Sequence, residues 1–350
     1  MENLVDTVIK LTLDEIETYD FPKDKLFGLE VNHENVRYCF MMRLASDNRN
    51  LLCLAPAAFA RDKKTSTGKL ITPPFFARWS WYKYFDESVI AFADPIFFDD
   101  DEIRVGWFVG RSDVWYLEVV SEIIKKIAIN QEIYNNNILF FGSSAGGFAS
   151  IGLGTLIKGS KVIVNHSQFN VLHYIKKHVD TLFEFLQKDF PELTRLEIEE
   201  HLKCRLNIIE LFKKENYIPN ITYYLNSESK VDFNDHFLPF VDELKELPQF
   251  DKYFTVYFYK QTEGKPHSPI DNEENIRILR EYMKEYLYNE KESHDNALEN
   301  NLIKSNESLT KQNRALLSKI DSLQKTNNEV MNSKSWKLTK PLRTFRNLLR

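Results

Sequence analysis

Ile138-Leu139-Phe140-Phe141-Gly142-Ser143-Ser144-Ala145-Gly146-Gly147-Phe148 joins an apolar, strand-like run to a helical pattern through Gly-x-Ser-x-Gly. Each residue type has a physical task there. A serine on a sharp strand-to-helix turn is aimed away from the sheet, and flanking glycines leave room for backbones that would otherwise collide. Ser144 falls at the start of the helix, where the dipole favours developing negative charge. The Ala145 N–H, one residue on, is the first candidate oxyanion donor. The spacing therefore marks Ser144 as a nucleophile, with Ser143 as its off-motif neighbour.

Outward from this turn, short apolar runs alternate with helical patterns from about residue 28 to 290, the mark of a mainly parallel sheet covered by helices on both faces. Strands are expected over Val36–Leu44, Leu51–Leu54, Ser88–Ala93, Ile138–Gly142, Val162–Val164, Ile221–Leu225 and Tyr253–Tyr259. Helices are expected over Leu117–Ile127, Gly146–Leu156, Asp232–Leu247 and Asn272–Tyr288. A longer helical stretch, roughly Val171–Glu215 and broken at Pro191, exceeds a plain connection and reads as a cap over the site. Residues 1–27 are set aside as an N-terminal extension.

The character of the chain changes after Asn289. Leu302, Leu309, Leu316, Leu323 and Val330 recur every seven residues, with Asn306, Asn313, Ile320 and Asn327 four places after the first four. Leucine at d with asparagine at a predicts a modest parallel homodimeric coiled coil over 291–332. Residues 333–350 mix Lys334, Lys337, Lys340, Arg343, Arg346 and Arg350 with Trp336, Leu338, Leu342 and Phe345 and contain no acid. That mixture suits an anionic membrane surface.

The segments around Leu51–Ala58, Asp94-Pro95 and Gly142–Gly146 resemble the α/β-hydrolase superfamily. Arg78-Trp79-Ser80-Trp81, Asp94-Pro95 and Gly106-Trp107-Phe108-Val109-Gly110 are similar to hydrolase-like proteins of bacterial capsule and surface-polysaccharide assembly. Some relatives of that kind are glycan O-acetyltransferases or esterases. The tail phrase Ser335-Trp336-Lys337-Leu338-Thr339-Lys340-Pro341-Leu342-Arg343 looks like one common in bacterial glycosyltransferases and other surface-polysaccharide proteins. The resemblance implies an α/β-hydrolase fold with a helical cap, and a site ordered serine, acid, histidine along the chain. His267, in a loop after the last strand, stands where the base belongs. Glu228, three residues before Val231, fits the position of the acid. Asp232 is the alternative by residue type, although it also looks like a helix N-cap. The turn after Leu51–Leu54 would supply the second oxyanion donor, from Ala58 or Ala57. His166 is a candidate pocket residue. Trp107 and Trp115 are the candidates for sugar stacking, against core packing as the ordinary role of a tryptophan.

The expected activity is thus a serine-dependent acyl-ester hydrolase or acyltransferase, O-acetyl by resemblance, with an acylated glycan as substrate and an acyl donor as partner. The rival expectation is a scaffold or binding module of a polysaccharide-assembly complex that has lost its chemistry. No His-Glu-x-x-His, paired Cys-x-x-Cys or glycine-rich phosphate loop is present, so no metal or cofactor is expected. A formal charge of −5 gives no reason to expect nucleic acid. Three scattered cysteines, no leader-like start and no long apolar run suggest a cytoplasmic protein, peripheral at the inner face of the membrane if the tail binds there.

Overall fold

Hydrophobic runs without alternation occupy the middle of a sheet whose two faces are both covered, and alternating runs its margins. A computed structural model of the chain describes residues 1, 4–61, 68, 70–248, 250–261, 264 and 266–287. The expected coiled coil and basic tail, 291–350, lie outside the described residues. No described helix is long and apolar enough to cross a membrane.

Nine strands form one sheet: β1 (Val8–Thr12), β2 (Leu26–His33), β3 (Val36–Arg43), β4 (Leu51–Leu54), β5 (Ser88–Phe92), β6 (Ile138–Ser143), β7 (Lys161–Asn165), β8 (Asn220–Asn226) and β9 (Phe254–Tyr259). Their spatial order is β1-β2-β3-β5-β4-β6-β7-β8-β9. Among the described strands only β3 runs against its neighbours; the others are mutually parallel. β4 lies out of sequence order, between β5 and β6, so the turn after Leu54 emerges beside the turn after β6. β4 to β7 are buried along their whole lengths.

Side chains of β6 alternate between two apolar layers: Ile138 and Phe140 enter one, Leu139 and Phe141 the other. The first layer is closed by helices Tyr116–Asn130, Ala145–Leu156 and Ile208–Glu215. The second is closed by the Trp79–Tyr84 turn and helix Asn272–Tyr282.

The stretch set aside as an extension contributes to this sheet. Ile9 and Leu11 are buried and Lys10 and Thr12 exposed, a period of two, and β1 pairs in parallel with Gly28–Asn32. The insertion after β7 is helical, as Lys176–Asp189, Arg195–His201, Lys203–Leu206 and Ile208–Glu215, with Pro191 in the turn between the first two. A capping box, Thr194 with Glu197, starts its second helix.

Candidate active site

Ser144 sits between β6 and its following helix with φ 56° and ψ −126°, a conformation foreign to most non-glycine residues. The glycines around it make the turn possible. A Cβ on Gly142 would lie 2.1 Å from the Gly146 carbonyl oxygen, and one on Gly146 would lie 2.6 Å from that of Pro56. The second approach shows that the turn after β4 is pressed against the turn after β6. The Ser144 N–H is held by the carbonyls of Asn165 and His166, both at 3.2 Å.

His267 reaches this serine from the loop after β9. Its Nε2 is 3.3 Å from Ser144 Oγ, and its Nδ1 is 2.7 Å from Asp232 Oδ1. A serine–histidine distance at the long end is usual before substrate tightens it. Two asparagines at strand ends hold the loop in place. Asn226, the last residue of β8, donates to the carbonyls of Gln261 and Pro266 and accepts from the Gln261 N–H. Asn165, the last residue of β7, accepts from the Ile270 N–H. The side chain of His267 remains 47% exposed, so the site opens to solvent on its side.

Of the two candidate acids, the structure brings Asp232 and not Glu228 to His267. Glu228 turns outward and pairs with Lys260 at 3.2 Å, both side chains exposed. Asp232 is fully buried in a wide π-helical turn, Asp232–Phe237, after β8. It does not cap that helix; it accepts hydrogen bonds from His166, His267 and Ser229. Burial alone would raise its pKa. The bonds from His166 and then His267, with the His267 charge and Ser229, outweigh burial and hold the carboxyl well below the ordinary range.

His166 therefore has a place different from the one expected of a pocket residue. It is 1% exposed, with Nδ1 2.8 Å from Asp232 and Nε2 2.7 Å from the Tyr259 hydroxyl. His166, Asp232 and His267 lie close enough to ligate a metal ion. The hydrogen bonds they make to one another, to Tyr259 and to Ser144 account for the cluster without one.

Trp107 and Trp115 are likewise buried and offer no ring face for stacking. Trp107 is 1% exposed, and its indole N–H donates to Gln168 Oε1 at 2.5 Å. Trp115 precedes helix Tyr116–Asn130 and packs beneath Arg205 and Lys214 of the insertion. Gln168, which the sequence reading passed over, sends its Nε2 to Ser144 Oγ at 3.1 Å. A signal for it existed: Asn165-His166-Ser167-Gln168 is a run of four polar residues at the end of a buried strand, on the sheet edge where ligands bind. Ser143, the neighbour, points elsewhere and accepts from Arg78 at 2.6 Å.

Ala145 is buried at the first position of its helix, where the N–H has no partner within the helix. Ala58 is exposed in the turn after β4, and Ala57 half-buried.

The fold as a whole is similar to that of solved structures. The chain is similar to the capsule O-acetyltransferase of Neisseria meningitidis serogroup A, at a TM-score of 0.53 and 13% identity. That match covers 72% of this chain and 96% of the other. A second structure of that enzyme, a histidine-to-alanine mutant in complex with CoA, matches at 0.53 and 13% identity over 77% of this chain and 99% of the other. The fold is that of the α/β-hydrolases. No protein-family model matches the chain, and no curated protein sequence matches it. Within this fold, Ser144 follows β6, Asp232 follows β8 and His267 follows β9, the chain order in which a serine, an acid and a histidine are expected.

Proposed function

We propose that the protein is a serine-dependent acyl-transfer enzyme, moving an acyl group, acetyl in our reading, between an activated donor and a hydroxyl of a bacterial surface polysaccharide. The observation that carries the proposal is the unbroken line Ser144 Oγ, His267 Nε2, His267 Nδ1, Asp232, at 3.3 and 2.7 Å. A buried carboxylate that stays ionised fixes the tautomer of His267 with the proton on Nδ1, leaving Nε2 as the base. The CoA complex of the structurally similar capsule O-acetyltransferase supports a CoA thioester as the donor.

In acylation, Ser144 Oγ bonds to the acyl carbon as its proton passes to His267 Nε2. The carbonyl electron pair moves onto oxygen, where the Ala145 N–H and an N–H of the Ala57–Ala58 turn receive the charge. Return of that pair breaks the bond to the leaving group, which takes the proton from His267. In deacylation, a sugar hydroxyl or water gives its proton to His267 and its oxygen bonds to the acyl carbon. The bond to Oγ then breaks; Oγ keeps the pair and recovers the proton.

The test is transfer itself. Acetyl-CoA and purified bacterial capsular polysaccharide, incubated with the protein, should yield free CoA and O-acetylated polysaccharide. CoA release that is equally fast without polysaccharide would assign the enzyme to hydrolysis. No release with any acyl donor, including small activated esters, would leave the scaffold reading standing.

A further inference from the structure

Gln168 stands against the reacting oxygen, yet the serine–histidine–acid scheme gives it no role. It is fully buried. Its backbone is tied to the serine turn by its own N–H, which donates to the Ser144 carbonyl at 3.3 Å. Two of its side-chain contacts make opposite demands: Oε1 faces Trp107 Nε1 at 2.5 Å, and Nε2 faces Ser144 Oγ at 3.1 Å. An indole N–H can only donate, so Trp107 fixes which end of the carboxamide is oxygen. The NH2 end is thereby turned toward Ser144, with its second N–H free for Tyr174.

Trp107 is itself held. Trp107 and Phe108 have φ of 50° and 56°, and the Phe108 N–H of this turn donates to Asp94 Oδ2 at 2.9 Å. Gly106 makes room for that carboxylate, since a Cβ there would lie 2.7 Å from Asp94 Oδ2. Tyr174, at the start of the helical insertion, packs edge-on to Trp107 with ring centres 5.5 Å apart and also hydrogen-bonds Gln168.

We infer that Gln168 is a further catalytic residue, whose carboxamide N–H binds Ser144 Oγ and directs the serine proton onto His267. A hydroxyl has one proton. With an N–H already donated to its oxygen, Ser144 turns that proton to the remaining acceptor, His267 Nε2. The same N–H supports Oγ when charge gathers there, above all when the bond between the acyl carbon and Oγ breaks and Oγ keeps the electron pair. Trp107 is the positioning residue, acting through Gln168. The inference rests on the proposal that Ser144 is the nucleophile.

The experiment compares wild type, Gln168→Leu, Gln168→Glu, Trp107→Phe and Ser144→Ala on p-nitrophenyl acetate, with melting temperature and acyl-enzyme mass recorded for each. Leucine removes the N–H with little change of volume; glutamate keeps an acceptor for Trp107 but offers Ser144 no donor. Both should lose about 10²–10³-fold in kcat, as for one donor removed from a reacting oxygen, with KM falling alongside because deacylation slows the more. Both should also accumulate more acyl-enzyme in the steady state than wild type. Trp107→Phe frees the amide to turn over and should lose less. Adding it to Gln168→Leu should cost little more, because the two act as a unit. If Gln168→Leu melts early, the glutamate variant and Trp107→Phe decide. Folded Gln168 variants within threefold of wild type in kcat would overturn the inference while Ser144→Ala remained inactive. Activity persisting in Ser144→Ala would instead overturn the serine proposal beneath it.

Discussion

His166 and His267 share one carboxylate: Asp232 Oδ2 lies 2.8 Å from His166 Nδ1 and 2.9 Å from His267 Nδ1. The acid is thus gripped from two sides, and one of its partners faces the serine. Asp232→Asn should lower kcat on a short activated ester about 10³–10⁴-fold, since the amide can stabilise the wrong His267 tautomer. Glu228→Gln should stay within about twofold of wild type, because Glu228 meets only Lys260 at the surface. Equal losses in the two variants would return the acid to open question.

His166 has no path to substrate, so its removal should act through Asp232. His166→Ala leaves a buried carboxylate short of one donor and removes the imidazole partner of the Tyr259 hydroxyl. Losing a hydrogen-bond donor to a buried carboxylate costs about 1.5–3 kcal/mol, visible as a lower denaturation midpoint. The kcat should fall about tenfold with KM unchanged, as expected of a residue that positions another. A variant as stable and as active as wild type would show that His267 and Ser229 suffice.

Asp94 gives the fold a pH dependence of its own. Burial pushes its pKa up to about 7, against hydrogen bonds from the Phe108 and Ile96 N–H groups that act to lower it. The unfolded chain ionises this group near pH 4, so between about pH 4 and 7 the folded state binds the extra proton. Its contribution is therefore full at low pH and is lost as pH rises through 7. Asp94→Asn should flatten the decline in stability over that window, read from urea midpoints at a series of pH values. An unchanged slope would mean that Asp94 is ionised throughout.

Two parts of the fold were legible for different reasons. β4 to β7 read clearly because strands buried on both faces leave uninterrupted Val, Ile, Leu and Phe runs. Asp94-Pro95 and the glycine turn around Ser144 mark fixed backbone shapes, which sequence records directly. β1 escaped notice because its alternation spans only five residues and its partner, β2, begins at Leu26, ahead of the stretch taken as the domain. Asp232 could not be separated from Glu228, since four residues apart they differ only in which one the tertiary fold turns inward. Trp107 read as a core residue first, with sugar stacking as the alternative, and neither reading named its partner. Its hydrogen bond to Gln168 joins residues 61 apart, and no local pattern announces such a contact.

The heptads beyond the hydrolase domain carry a prediction that sequence alone supports. The leucine spacing from Leu302 to Val330 should pair two chains, and the basic aromatic tail should bring that pair to anionic lipid. Deleting 292–350 should yield a monomer by light scattering, with ester activity intact. Deleting 333–350 alone should leave a dimer that no longer sediments with phosphatidylserine vesicles. A monomeric full-length chain would refute the coil, and vesicle binding without the tail would refute the membrane role.

The central claim is that Ser144 is a nucleophile activated by His267. Labelling with a fluorophosphonate probe, read by intact mass and by peptide mapping, tests it most directly. The account predicts one adduct per chain on Ser144, none in Ser144→Ala, and labelling slowed by at least a hundredfold in His267→Ala. An adduct on another residue, or undiminished labelling of Ser144→Ala, would contradict it.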